Sequence, residues 1–425
     1  MRNIRNMQTT HVLSNIKRLL LSLILIAITC KGYTQESLSL NEILHQIEEN
    51  NRELKAYDYQ KESQLAKVAG AKSWMAPMVG AGTFMTPYPG QNTMDKGALM
   101  FTLEQGLPNS RMNKAKEKYL SSLAAITEAK KGMALNDLRS LAKQNYYSLI
   151  INQKRLKLTE ESLAIMNNMK KLGEIRYEYN KGSLSQIYKA EGRIYEMQNM
   201  IEEVQSSIKT AKININVLMN RNPETAFNIP PDAAILFKPI ALLDSAYLTS
   251  NISELKMAEN EINSMKLDAD MIKNEANPEV RLRLDHMSPL SSMMPQQYSA
   301  MAMLSIPLAP WSAKSYKANL KANKLEVEAM EHKKAAMINS MYGMVKSMER
   351  NIMTMEKRVK NFEQKIIPAM QKNLDVLMLN YQENKENLNM VIDGWETLNK
   401  AQLDYTTELD NYYKMIVDYE KSIEI

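Results

Sequence analysis

No proline interrupts the chain between Arg111 and Tyr179, and within that stretch Leu135, Ala142, Leu149, Leu156 and Leu163 recur every seventh residue. A strict seven-residue apolar repeat is the seam of a coiled coil, a narrower signal than general amphipathicity. At 1.5 Å per residue a helix of this length is on the order of 100 Å long. No compact globular core needs such a rod. The second half carries a comparable seam with spacings of four and three: Met341, Val345, Met348, Ile352, Met355, Val359, Phe362 and Ile366. The sequence therefore predicts a mainly helical protein in which a second segment, 187–220 or 388–422, returns along each long helix.

The two halves read as copies. Glu53-Leu54-Lys55 matches Glu254-Leu255-Lys256, and Pro77 matches Pro278, at an offset of 201. Leu107-Pro108-Asn109-Ser110 pairs with Ala309-Pro310-Trp311-Ser312, and Tyr179 with Tyr381, at 202. A nearly constant offset marks a tandem duplication. The repeats span 35–237 and 238–425, and the Pro-containing linker 221–239 between the helical parts has no helical period. In each half a helical segment, 37–76 or 242–276, ends at a proline. Two stretches of strand character follow. Val280, Leu282 and Leu284 alternate with Arg281, Arg283 and Asp285, and 298–308 is similarly built. The first-half counterparts, 78–86 and 97–105, are richer in glycine. Strands near ten residues suit a tilted transmembrane β-strand.

The long helix must stop at Tyr177-Glu178-Tyr179-Asn180-Lys181-Gly182-Ser183-Leu184. Gly182 is the expected left-handed residue closing it, and Ser183 or Ser185 the cap of the next helix. At the 202 offset Asn384, beside Lys385, stands where Gly182 stands, and asparagine tolerates positive φ next best. Asn387 then caps ahead of Leu388. Two such turns, far from the strands, predict a tip.

Residues 1–34 read as an export signal: Arg2, Arg5, Lys17 and Arg18 precede the apolar run 19–29, which is too short to span a bilayer. Gly32 and Thr34 fit a cut before Gln35; acylation of Cys30, the sole cysteine, is the alternative. The formal charge is +6, of which this segment, with Lys31 and no acid, supplies five. What remains is no basic nucleic-acid binder. No catalytic pattern stands out. His11, His45, His286 and His332 have no metal-ligand spacing, HExxH and GxxxxGK are absent, and the GAG at 80–82 precedes strand-like residues. The expectation is a conduit, not an enzyme, with no cofactor.

In 40–56, in Pro77 and Pro278 before the strands, in 307–322, and in 179–186 with 381–394, the whole mature chain resembles the TolC-like outer-membrane efflux family. The resemblance implies two repeats of helix, β-hairpin, very long helix, tight turn and return helix. It also implies a homotrimer whose four strands per chain close a twelve-stranded outer-membrane barrel above an α-helical periplasmic tunnel. The tip turns would then dock a periplasmic adaptor serving an inner-membrane pump of the RND type. Gly182 falls on the family's tip glycine, and Asn384 replaces the second. Of two acidic constriction positions on the second return helix, Asp393 keeps the acid and Met390 does not. A threefold ring of Asp393 would gather like charge and attract cations.

Thirty-three methionines exceed ordinary usage. Met337, Met341, Met344, Met348 and Met355 have the spacing that helix packing requires. Met287, Met293, Met294, Met301 and Met303 surround the second hairpin, and thioethers suit Cu(I) or Ag(I). Together with the likeness of 307–318 to the heavy-metal, CusC-like branch, they make metal-ion efflux the expected activity, with multidrug export as alternative. A coiled-coil periplasmic adaptor without a pore is a further reading, although adaptors usually carry one long hairpin between β-domains and this chain carries two.

Overall fold

The computed structural model of the chain describes residues 36–91, 96–230, 235–241, 243–291, 294–307 and 309–425. The signal segment 1–34, with Cys30, and Met293 lie outside the described residues.

Each half opens with two helices where the sequence suggested one. Helix α1 (Leu40–Asn50) starts at a capping box: the Ser39 hydroxyl accepts from the Glu42 N–H, and the Glu42 carboxylate accepts from the Ser39 N–H at 2.7 Å. That backbone bond, with one from the Ser39 hydroxyl, holds the Glu42 carboxyl below its usual range. The chain then turns at Asn51, whose Oδ1 accepts from the Glu53 N–H at 2.9 Å and caps α2 (Arg52–Ala69). The second half repeats the break between α5 (Ser245–Asn251) and α6 (Ser253–Asn274). Here Ile252 occupies the cap position and has no acceptor to offer. Glu424 replaces it from the far end of the chain, accepting from the Ser253 N–H and hydroxyl at 2.7 Å each.

Between these helices and the long ones lies one four-stranded antiparallel sheet, ordered β2 (Met78–Phe84), β3 (Ala98–Gly106), β5 (Val280–Pro289), β6 (Gln297–Leu304). The two hairpins meet through β3 and β5, with Thr102 opposite Asp285. The strands stop short of the predicted 86 and 308, because Met85 adopts φ 51° and the chain leaves β6 after Leu304. Far from this sheet, β1 (Glu36–Ser37) pairs in parallel with β4 (Phe227–Asn228), so the linker contributes a short strand.

Helix α3 (Ser110–Glu178) is 69 residues long and α4 (Leu184–Leu218) returns along it. The matching rod is α7 (Pro310–Asn361), a π turn at Phe362–Ile366 and α8 (Ile367–Gln382), with α9 (Leu388–Ser422) returning. Pro368 accounts for the π turn. It cannot donate a helical hydrogen bond and crowds the carbonyl four residues back, so the Ile367 N–H reaches the Phe362 carbonyl instead. Both return helices have 35 residues. Ala142 and Leu149 of the predicted first seam are fully buried, as are Val345 and Ile352 of the second. One core joins α1, α3, α4, the linker, α7 and α9, and a second lies nearer the turns around Trp395. Met337, Met341, Met348 and Met355 pack on the first of these cores, as helix spacing implied, whereas Met344 is exposed.

Candidate functional site: the two-faced sheet and the tip turns

Residues directly opposite on antiparallel strands share a face, so the register sorts the sheet into two surfaces. One is largely apolar, carrying Val79, Leu99, Phe101, Leu103, Leu282, Leu284, Ala300, Ala302 and Leu304, with Gln105, His286 and Ser288 among them. Val79 is 79% exposed and Phe101 53% among the described residues. The other face carries Thr102, Glu104, Arg281, Arg283, Asp285, Ser299, Met301 and Met303. There the Thr102 hydroxyl donates to Asp285 at 2.6 Å, Arg283 Nε donates to the same carboxylate at 2.9 Å, and Arg281 lies 3.6 Å from Glu104. The charges on this face balance. Both outer strands, β2 and β6, keep an unpaired edge.

At the opposite end of the rods, both turns close by the same backbone device. Asn180 has φ 58° and Asn384 φ 62°. The N–H of Lys181 reaches the Arg176 carbonyl at 2.8 Å and that of Asn180 the Tyr177 carbonyl at 3.0 Å. The N–H groups of Lys385 and Asn384 bond the Asn380 and Tyr381 carbonyls at 2.8 and 3.1 Å. This is the Schellman closure with asparagine as the left-handed residue. The expectation for Gly182 is thus corrected: Asn180 takes the left-handed conformation and is the counterpart of Asn384. The two turns align at an offset of 204, so Gly182 matches Glu386 and Ser183 matches Asn387. A Cβ on Gly182 would come 3.3 Å from the Tyr177 nitrogen, which favours glycine by closeness and not by φ. Asn387 caps α9 as expected, accepting from the Met390 N–H at 3.2 Å. Ser183 sits at the cap position of α4, but its hydroxyl meets that of Ser185 at 2.9 Å and leaves the helix N–H groups alone. Lys385 pairs with Glu383 at 2.5 Å.

A cleft of about 650 Å³ separates the two turns, lined by Arg176, Lys181, Gln186, Tyr381 and Glu386 among others. Arg176 spans it: its guanidinium lies 3.8 Å from the centre of the Tyr381 ring and donates to the Tyr381 and Gln382 carbonyls. Burial pushes the Tyr381 phenol up, opposed by the Arg176 charge. Asp393 accepts from Lys189 Nζ on α4 at 2.8 Å, and one turn on Glu396 accepts from Arg193 at 2.9 Å. Met390 is exposed. Asp393 and Lys189 therefore meet within one chain, a pairing that sequence reasoning missed, as it missed Arg176. The recurrence of Asn-Lys at 180–181 and 384–385 was the signal available for the true alignment of the turns. Among the described residues no group of three His, Cys, Asp or Glu side chains could hold a metal ion.

No protein-family model matches the chain, and no curated protein matches its sequence. Solved structures do match. The chain is similar to the outer-membrane channel OprN (15% identity, 90% of this chain and 89% of that one, TM-score 0.74). CusC, whose structures describe transmembrane channel formation, matches at 13% identity over 92% of both chains, with a TM-score of 0.73. The open outer-membrane channel MtrE of Neisseria gonorrhoeae matches at 15% identity over 90% of this chain and 88% of that one, with a TM-score of 0.69. CusC is matched no better than OprN, so the fold does not separate a metal branch. The chain has the fold of these outer-membrane channels.

Proposed function

We propose that the protein is the outer-membrane exit duct of a tripartite efflux system, assembled as a homotrimer and passing substrate from a periplasmic adaptor and an inner-membrane pump to the exterior. The observation that carries this reading is the sheet. A wall with one exposed apolar face, one charge-balanced polar face and two open edges fits a segment of a barrel, lipid outside and water inside. Four strands cannot close alone; three copies supply twelve. The hairpins would extend into the periplasm, with Asn180–Ser183 and Asn384–Asn387 as the adaptor-docking turns, and Asp393 and Met390 narrowing the mouth.

The two sheet faces give the test. Arginine at a lipid-facing site near the bilayer midplane costs about 2–4 kcal/mol, and at a lumenal site little. Leu284→Arg should therefore block insertion into outer membranes, while Ser299→Arg on the other face should leave a detergent-extractable trimer. Equal tolerance of both substitutions, or a native chain that is a soluble periplasmic monomer, would refute the duct and favour the pore-less adaptor. For the cargo we favour soft cations such as Cu(I) or Ag(I), because the exposed Met301 and Met303 lie on the proposed lumenal face. A deletion strain with unchanged copper and silver tolerance but raised drug sensitivity would assign multidrug export instead.

A further inference from the structure

The two long helices begin alike in charge. Arg111, Lys114 and Lys118 on α3 recur as Lys314, Lys317 and Lys321 on α7 at a constant offset of 203. Spacings of three and four put each trio on one helical face. All six side chains are exposed, and none has an ion-pair partner among the described residues. No acid occurs between Pro310 and Leu325, and the one acid between Ser110 and Leu120, Glu117, pairs with Lys72 at 2.8 Å. Helix N-termini already carry the positive end of the macrodipole. Cations bunched there work against the helix, so an anionic counterpart outside the chain is the natural reason for them.

The neighbourhood identifies that counterpart. Trp74 precedes β2 and Trp311 follows β6, so both sit at the junction of sheet and helices, 62% and 83% exposed. They are two of the three tryptophans, and the third, Trp395, is buried far away near the turns. Exposed tryptophans at the end of an apolar band mark a membrane–water boundary. Lysines one to three turns beyond them lie at headgroup depth, within reach by snorkelling.

We propose that the cations opening α3 and α7 bind the anionic phospholipid headgroups of the leaflet that faces the helical rods. The inference rests on the sheet being membrane-embedded, as argued under the proposed function. The two stripes would then form a collar that sets how deep the barrel sits.

The test uses the full chain reconstituted in phosphatidylcholine bilayers containing an equal fraction of dibrominated phosphatidylglycerol or dibrominated phosphatidylcholine. Bromine quenches nearby tryptophan, and the buried Trp395 contributes a constant background. Enrichment of the anionic lipid should be about fivefold or more, since one charge near an anionic surface supplies roughly that factor. It should fall to unity in high salt and in the variant that neutralises all six cations, Arg111→Gln, Lys114→Gln, Lys118→Gln, Lys314→Gln, Lys317→Gln, Lys321→Gln. The matching Lys→Arg variant should keep it. Equal quenching by both lipids in the native chain overturns the proposal, as does a preference that survives the glutamines or is lost with arginines. Absence of quenching by either lipid would instead remove the membrane placement itself, so the two failures are distinguishable.

Discussion

The seam within the first hairpin and the seam between the two hairpins share apolar cores and differ in how many polar links they add. Within the first hairpin Met166 and Met169 of α3 face Ala190, Ile194 and Met197 of α4 as one buried apolar cluster, with few polar links such as Lys170 to Glu191 at 2.9 Å. Between the hairpins, α3 meets α9 through those same cores, with the Tyr147 and Tyr413 rings edge to face at 5.4 Å, and also through a ladder of polar pairs. Lys143 donates to Glu420 at 2.6 Å, Lys154 to the Tyr405 hydroxyl at 2.7 Å and Ser162 to Asn399 at 3.1 Å. Lys189–Asp393 and Arg193–Glu396 continue it between α4 and α9. Apolar contacts have no substitute in water, whereas an exposed pair such as Lys189–Asp393 exchanges for hydrated groups at little net cost. The polar part of the seam between the hairpins should hence be the easier part to loosen.

Trp395 is the largest fully buried side chain on the apolar side of that seam, so its removal tests the seam hardest. It is 1% exposed, donates from Nε1 to the Ser162 carbonyl at 3.3 Å, and joins both hairpins in the tip core. Trp395→Ala should cost about 3–5 kcal/mol, read as a lowered denaturation midpoint with splayed tips. A loss comparable with that of a surface pair would show that this core does not bind the hairpins together.

Arg176 ranks next. Arg176→Ala removes the charge-assisted bonds to Tyr381 and Gln382 and should cost about 1.5 kcal/mol, while opening the cleft to small permeants. Arg176→Lys should recover little, since an ammonium lacks the planar face that lies over the Tyr381 ring. Full recovery would mean that only the charge matters.

How much of this was readable beforehand follows the physics of each signal. The seams were legible because Ala142, Leu149, Val345 and Ile352 repeat at the period that packing imposes. So was the sheet, since Arg281, Arg283 and Asp285 alternate with Val280, Leu282 and Leu284. The turn alignment was not, because it leaned on glycine as the left-handed residue when Asn180 plays that part. Long-range partners such as Lys189 for Asp393 and Glu424 for Ser253 have no local pattern and emerge only from packing. The true equivalence of the turns can itself be tested. Asn180→Ala and Asn384→Ala should each cost about 1 kcal/mol of left-handed strain, and the glycine replacements almost nothing. Unequal costs would break the symmetry of the two turns.

Asp393 should change stability least, because an exposed pair with Lys189 contributes about 0–1 kcal/mol. Its effect is expected in conduction. Two readings of the residue make different predictions, since it pairs with Lys189 across the hairpins and, in the proposed trimer, would be a negative charge near the mouth. If it acts as a latch, Asp393→Ala and Lys189→Gln both loosen the seam, and both raise single-channel conductance and antibiotic leakage. If it acts as a charge, the two variants oppose each other: losing Asp393 leaves Lys189 uncompensated and lowers cation selectivity, whereas Lys189→Gln raises it. Reversal potentials in a salt gradient separate selectivity from conductance, so one set of planar-bilayer recordings decides. An unchanged conductance and selectivity in both folded variants would remove Asp393 from the constriction and leave the polar seam a structural feature only.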